Sequence, residues 1–495
     1  MKKISALILA CTVAGAALAF TACGSNSDNG TKGLEYTLLD DGTYCCSGIG
    51  TATGKEITIA STYNGKTVTA IGESAFEDCT AIEKVTIPAT IEEMGVSAFS
   101  ECTSLKGVYI SDLTAWCNIY FDENSSPLEY AHNLYLNGEL LTQLTIPEGV
   151  QEICEGAFSD CTPLQSVTFP DGFKTIGRWA FSTCTSLEKV TIPASVEKID
   201  YMAFINCTSL NSVYISDLKA WCSIEFGSYK SNPLDNGCKL YVNDELLTEL
   251  VIPQGITAIS DSAFKGCASI TSLTMGDEVT QIGGAAFEHC TSLKDVTLSN
   301  NLTKLGDFAF YGCKNIGYNV YGNAKYIGST SNPRLVLVEA QSQDITTCDV
   351  HPDTQFICNE AFFDCKSLTD VTIPSGINEI SNLTFSGCSS LKNVTLPDSI
   401  TYVASSLFNG CTSLESLIIP QSVKEIYNGA FKGCTAFKTV YFKGTAEQWA
   451  QVKIGNMNNQ SVAEATVYFY SESAPSQQGN FWHYDTDGKT AIVWG

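Results

Sequence analysis

Cysteine is the most reactive residue type in this 495-residue chain, and it occurs 22 times. Twelve copies follow one pattern, Phe-x-x-Cys: Cys79, Cys102, Cys161, Cys184, Cys207, Cys267, Cys290, Cys313, Cys365, Cys388, Cys411 and Cys434. Ala precedes the Phe in ten of the twelve, with Thr384 and Leu407 as the exceptions. A catalytic nucleophile is needed once, so recurrence points away from catalysis. Zinc is disfavoured because the chain has no Cys-x-x-Cys, and a long fixed interval does not cluster ligands. Disulfides within the series would need side chains that turn toward each other. Stacked copies about 4.8 Å apart would point them all one way. The expectation is a column of reduced, buried thiols that serve as packing units.

Beyond Cys11 and Cys23 of the N-terminal segment, eight further cysteines lie outside the series: Cys45, Cys46, Cys117, Cys154, Cys222, Cys238, Cys348 and Cys358. Sequence cannot pair them. Cys348 and Cys358, ten residues apart, are candidates for a bridge. The four histidines, His132, His289, His351 and His483, each stand alone. There is no His-Glu-x-x-His, Gly-x-Ser-x-Gly, phosphate loop or calcium loop. No catalytic residue, metal or cofactor is therefore expected. A glycosidase built from acidic pairs on a sheet is the distant enzymatic alternative.

The elements that position these residues follow from the repeat. The Phe residues fall at 76, 99, 158, 181, 204, 264, 287, 310, 362, 385, 408 and 431, mostly 23 apart. The longer gaps of 59, 60 and 52 contain insertions of 36, 37 and 29 residues. Equivalent positions at a fixed period form columns in a solenoid. The segment Leu187-x-x-Val190-x-Ile192-Pro193 alternates as a short strand does, and Pro ends its pairing. Val196-x-x-Ile199 forms the second side of the coil. Ala then leaves room for a tight corner and Phe fills the space between coils.

The unit Ile-x-x-x-Ala-Phe-x-x-Cys-x-x-Leu-x-x-Val-x-Ile-Pro resembles the BspA-type leucine-rich repeat of bacterial surface proteins, over roughly residues 34–470. The resemblance implies an arc-shaped leucine-rich-repeat solenoid with a parallel sheet on its concave face. It would be mainly strand and irregular coil, with a few short helices and hairpin insertions. It also implies surface display and binding to host or neighbouring-cell molecules.

The N-terminus adds a second resemblance. A basic start, an apolar run and Phe20-Thr21-Ala22-Cys23 are similar to a signal peptide with a bacterial lipobox, except that Phe20 stands where Leu is usual. Residues 1–22 would be the signal, Cys23 the lipid-attachment residue, and 23–33 a flexible tether. The alternative is an ordinary signal cleaved near Ala22, which leaves a secreted protein. The formal charge of -25 repels phosphate backbones and anionic headgroups, so nucleic acid is excluded as a partner and the membrane is reached only by the lipid.

Insertions are placed at about 108–145, 213–251 and 316–350. The first two are near copies, V-Y-I-S-D-L-T-A-W-C and V-Y-I-S-D-L-K-A-W-C. Ser and Asp start a short helix that carries Trp116 or Trp221. Asn137-Gly138 and Asn243-Asp244 are hairpin turns. The Trp residues either pack each module onto the solenoid or touch a ligand. The third insertion reads as two strands around a Ser/Asn/Pro loop. Residues 471–495 read as a linker and a C-terminal hairpin that turns at Asp487-Gly488 and caps the last coil.

The outward strand position between the Val and the Ile of Val-x-Ile is the candidate binding face. It holds Thr168, Thr191, Thr274 and Thr297, with Tyr at 109, 214 and 441. Thr and Tyr favour strands on their own account. Tyr also offers a flat apolar face with a polar tip, as binding surfaces do. The expected function is surface binding or adhesion toward an extracellular protein, with a glycan as the alternative ligand. A monomer is expected.

Overall fold

The computed structural model describes residues 29–227, 230–377, 379–476, 478–486 and 488–494. The signal segment and Cys23 lie outside the described residues. Two compact units form: Met1–Ala220 with Ile224–Asp244, and Trp221–Ser223 with Glu245–Gly495. Each is a β-solenoid of stacked coils, as the 23-residue period requires.

Each coil has two strand walls and a corner. In the first unit the strands Gln143–Thr145, Ser166–Thr168, Lys189–Ile192, Ser212–Ile215 and Lys239–Val242 run parallel and in register. Val190, Val213 and Leu240 point inward and are fully buried. Thr191, Tyr214 and Tyr241 alternate outward and are half-buried. The second wall stacks Glu152–Ile153, Thr175–Ile176, Lys198–Ile199 and Glu225–Phe226. The second unit repeats both walls, for example Glu249–Val251 on Ser272–Thr274 and Ala258–Ile259 on Gln281–Ile282.

The corner explains the Phe-x-x-Cys series. Phe rings of successive coils stack, as in Phe181 on Phe204 at 5.4 Å and 8°, and Phe385 on Phe408 at 5.7 Å and 5°. The cysteines are buried free thiols, with Cys79 in the first repeat half-buried. Their thiols do more than fill space. In all eight coils that directly follow another coil, the Cys Sγ donates to the Phe carbonyl of the coil before. That carbonyl already accepts the amide of its own Cys, as Phe181 does from Cys184 at 3.3 Å. Cysteine thus adds a weak donor to a second lone pair without bringing a strongly hydrated group into the core.

The residues two before and two after each Phe have positive φ in all twelve repeats. Examples are Ser74 (54°) with Asp78 (58°), Trp179 (50°) with Thr183 (58°), and Leu383 (61°) with Gly387 (80°). Tight consecutive turns require this left-handed backbone, and non-glycine residues adopt it here at a steric cost.

The corner also uses backbone pairing. The Phe N–H donates to the carbonyl of the residue before the next Phe, as Phe158 does to Ala180 at 2.9 Å. Where an insertion removes the preceding coil, another donor takes over. Trp116 Nε1 donates to Ala157 O at 2.8 Å in the first unit, and Trp221 Nε1 to Ala263 O at 2.8 Å in the second. Ala340 N donates to Ala361 O at 2.6 Å. Buried backbone groups are best paired, so each inserted module supplies a donor to the carbonyl before the Phe, which a missing coil would otherwise have served.

The third insertion differs from its expectation. It has three antiparallel strands, Asn319–Tyr321, Ala324–Ser329 and Val336–Ala340, because Gly322-Asn323 makes an additional left-handed turn. The suggested Cys348–Cys358 bridge is also corrected, since both are free thiols. Cys348 lies on the strand Thr347–Asp349, opposite Val371, while Cys358 begins the corner after Ile357. They belong to different walls of one coil. At the C-terminal end, Phe481–Tyr484 pairs with Thr466–Tyr470 in parallel and with Ala491–Val493 antiparallel.

Candidate binding face

The outward strand positions gather the candidate residues by register. Thr145, Thr168, Thr191, Tyr214 and Tyr241 lie opposite one another along one sheet. Thr58, Thr86, Tyr109 and Tyr135 do the same along another. Both sheets belong to the first unit. In the second unit, Thr274 and Thr297 are opposed, and Ile418, Tyr441 and Tyr468 form a separate row.

The first unit contains the same three-residue stack twice. Tyr109 and Tyr135 stack at 4.4 Å with 2° between rings, and Lys84 Nζ lies 4.4 Å from the Tyr109 centroid. Tyr214 and Tyr241 stack at 4.6 Å and 8°, with Lys189 Nζ 3.9 Å from the Tyr214 centroid. In each case the lysine comes from the strand before and the second tyrosine from the strand after. Both faces of the central ring are therefore covered, and its edge and hydroxyl face outward. The ammonium also reaches Glu56 at 3.2 Å in the first stack. Beside it, hydrogen bonds from Lys106 and Lys55 pull the Glu83 carboxyl down to about 2. The Tyr441 row differs: Tyr468 lies at 5.8 Å and 36°, Trp482 lies at 5.6 Å, and burial pushes the Tyr441 phenol up.

Trp116 and Trp221 are not part of this face. Each is 1% exposed. Asp112 caps the first helix, Leu113–Cys117, by accepting from Ala115 N at 3.0 Å, and this turns Trp116 inward. Their use as open aromatic platforms is corrected by this burial, and the packing alternative is the one that fits.

The sequence reading missed Tyr135, Tyr241, Lys84 and Lys189. The signal was present, because Leu-Tyr-Leu at 134–136 and Leu-Tyr-Val at 240–242 repeat the apolar-Tyr-apolar pattern of Val108–Ile110 and Val213–Ile215. An inserted helix between the paired strands moved them off the 23-residue interval.

Among the described residues, no group of three or more His, Cys, Asp and Glu side chains is placed to hold a metal ion. Among them, too, no helix is long and apolar enough to cross a membrane. Burial pushes the ladder thiols up, Cys102, Cys161, Cys207 and Cys434 each to about 12, so they are protonated and poorly nucleophilic.

No curated protein matches the chain. Solved structures to which the chain is similar include a leucine rich cell surface protein from Faecalibacterium prausnitzii A2-165, 24% identical, covering 85% of this chain and 96% of that one at a TM-score of 0.35. A leucine-rich repeat protein from Bacteroides ovatus ATCC 8483 is 22% identical, covering 88% and 98% at a TM-score of 0.34. The sequence matches the BspA type Leucine rich repeat region (6 copies) over residues 50–131, 129–234, 237–332 and 340–461. With most of its length matched in this way, the chain belongs to the BspA-type leucine-rich-repeat family.

Proposed function

We propose that this protein is displayed on a bacterial cell surface and binds an extracellular protein through the outward faces of its parallel sheets. Cys23 would carry the lipid that holds it at the extracellular face of the membrane. The reading assigns no catalytic step, in keeping with leucine-rich repeats as binding scaffolds. The observation that carries it is the repeated Lys–Tyr–Tyr stack, Lys84–Tyr109–Tyr135 and Lys189–Tyr214–Tyr241. Each stack holds large side chains in one rotamer before any partner arrives, which lowers the entropy lost on binding. The central ring presents its hydroxyl and edge with an ammonium beside it, rather than an open face. That composition suits a polar protein surface with carboxylates and carbonyls.

A glycan reader would need at least one uncovered aromatic face, and the central ring of each stack has none. Glycan binding is therefore the second reading. The test replaces Tyr109 and Tyr214 by Thr, the residue that precedes each of them in its row. The fold should persist and binding to the protein partner should weaken about tenfold or more, as when central aromatic anchors are lost. Unchanged affinity would refute the proposed face.

A further inference from the structure

Among the described residues, the ladder leaves two corner amides without an acceptor at each of its three insertions, Phe99 and Glu101, Phe204 and Asn206, and Phe310 and Gly312, and a cleft opens beside the last pair. In each of the eight coils followed directly by another, the N–H of the Phe and the N–H two residues later both donate to the next coil. Phe287 donates to Ala309 O at 2.8 Å and His289 to Tyr311 O at 2.7 Å, for example. The coil of Phe310 is followed by the third insertion, and its next coil comes 52 residues later. There Phe308 N is capped by Asn359 Oδ1 at 2.9 Å, and Asn359 Nδ2 holds Asp307 at 3.0 Å. Among the described residues, Phe310 N–H and Gly312 N–H have no acceptor, and the carbonyls of Asn359 and Phe363 opposite have no donor.

The first two insertions carry a short helix, Leu128–Ala131 or Pro233–Asn236, and Gln460–Ala463 follows the last Phe-x-x-Cys coil. The third insertion contains strands only. A cleft of about 620 Å³ remains between the two corners, with Phe310 and Gly312 on one wall and Asn359 and Phe363 on the other. Asn359 closes one end. Tyr311 and Phe363, 43% and 41% exposed, stand on opposite walls. The carboxylate of Glu360 pushes the Tyr311 phenol up, consistent with the two walls facing one another there.

We propose that this cleft binds an extended peptide segment, which intercalates where a coil is missing. The donors of one wall and the acceptors of the other complement a peptide backbone, whose carbonyls would accept from Phe310 and Gly312 and whose amides would donate to Asn359 and Phe363. This is strand addition at an interrupted ladder. An apolar side chain of the peptide would rest between Tyr311 and Phe363. A simple anion satisfies only the first wall. This site is independent of the tyrosine stacks, which belong to the other unit.

The test uses the chain from Cys23 onward and a phage-displayed library of short random linear peptides. Selected peptides should slow hydrogen exchange of the Phe310 and Gly312 amides about tenfold or more. The exposed double variant Tyr311→Ser/Phe363→Ser should bind them about tenfold more weakly, while Tyr109→Thr/Tyr214→Thr should bind them unchanged. The proposal is overturned if no peptide is selected, if bound peptides leave those two amides unprotected, or if the Tyr311/Phe363 variant binds as tightly as the parent. Loss of protein binding at the tyrosine stacks with peptide binding intact would separate this site from the face proposed above.

Discussion

Cys207 Sγ lies 3.1 Å from the Phe181 carbonyl of the preceding coil, so the cysteine column is also a column of hydrogen bonds between coils. Replacing Cys207 by Ala should remove this donor and a sulfur-sized volume. The carbonyl keeps the Cys184 amide, so the loss should be about 1–2 kcal/mol, read from the urea midpoint. The native thiols should also resist alkylation until the chain is unfolded. Rapid modification of Cys207 in the native protein would contradict its place in the core.

Alkaline pH should weaken the fold. Thiols such as Cys102, Cys161 and Cys207 are raised to about 12 when folded, above the ordinary value of 9.0. The unfolded chain therefore releases these protons first as pH rises. Their contribution is fully present below about pH 8.5 and is lost progressively toward about pH 12, by up to about 1.4 kcal/mol per pH unit for each thiol. Urea midpoints measured at about pH 7, 9 and 10.5 should fall in that order. A constant midpoint would show that the thiols are not held protonated.

Trp116→Phe should cost about 2–4 kcal/mol, because Ala157 O loses its donor and the larger indole leaves a gap. Trp449, at the end of the helix Ala446–Trp449, is half-buried and packs on Phe442 at 5.1 Å, and its indole N–H has no such bond among the described residues. Trp449→Phe should cost under about 1 kcal/mol. Thermal unfolding of the two variants compares them directly. Equal costs would mean that the indole N–H contributes nothing.

The left-handed columns can be probed where space is open. Gly156 has φ 68° and nothing within 4 Å of an added Cβ. Gly156→Val should still lose about 1–2 kcal/mol, purely through its backbone. Ser406 occupies the same column at φ 55°, and Ser406→Gly should raise stability by up to about 1 kcal/mol. Both are read from denaturant midpoints. An unaffected Gly156→Val would remove the backbone argument.

The parts legible in the sequence were those written as residue types at fixed intervals. Phe and Cys recur because each column has one shape, so the coil register and buried thiols could be read directly. The Asn137-Gly138 turn was legible for the same reason: Asn137 at φ 52° and Gly138 at φ 87° need residues that tolerate left-handed backbone. The turns around each Phe were not, because Ser74, Trp179 and Leu383 share a conformation and no side-chain type. Trp116 announced a module, but its acceptor lies in another coil 41 residues away. The cleft beside Phe310 depends on amides that lack partners, and a missing partner leaves no mark in the sequence.

The most direct test of the binding role passes residues 24–495 over one array of extracellular-matrix proteins and bacterial and host glycans. The tyrosine stacks predict a saturable protein hit that weakens in Tyr109→Thr/Tyr214→Thr. A glycan hit that survives in that variant would contradict both the partner class and the face.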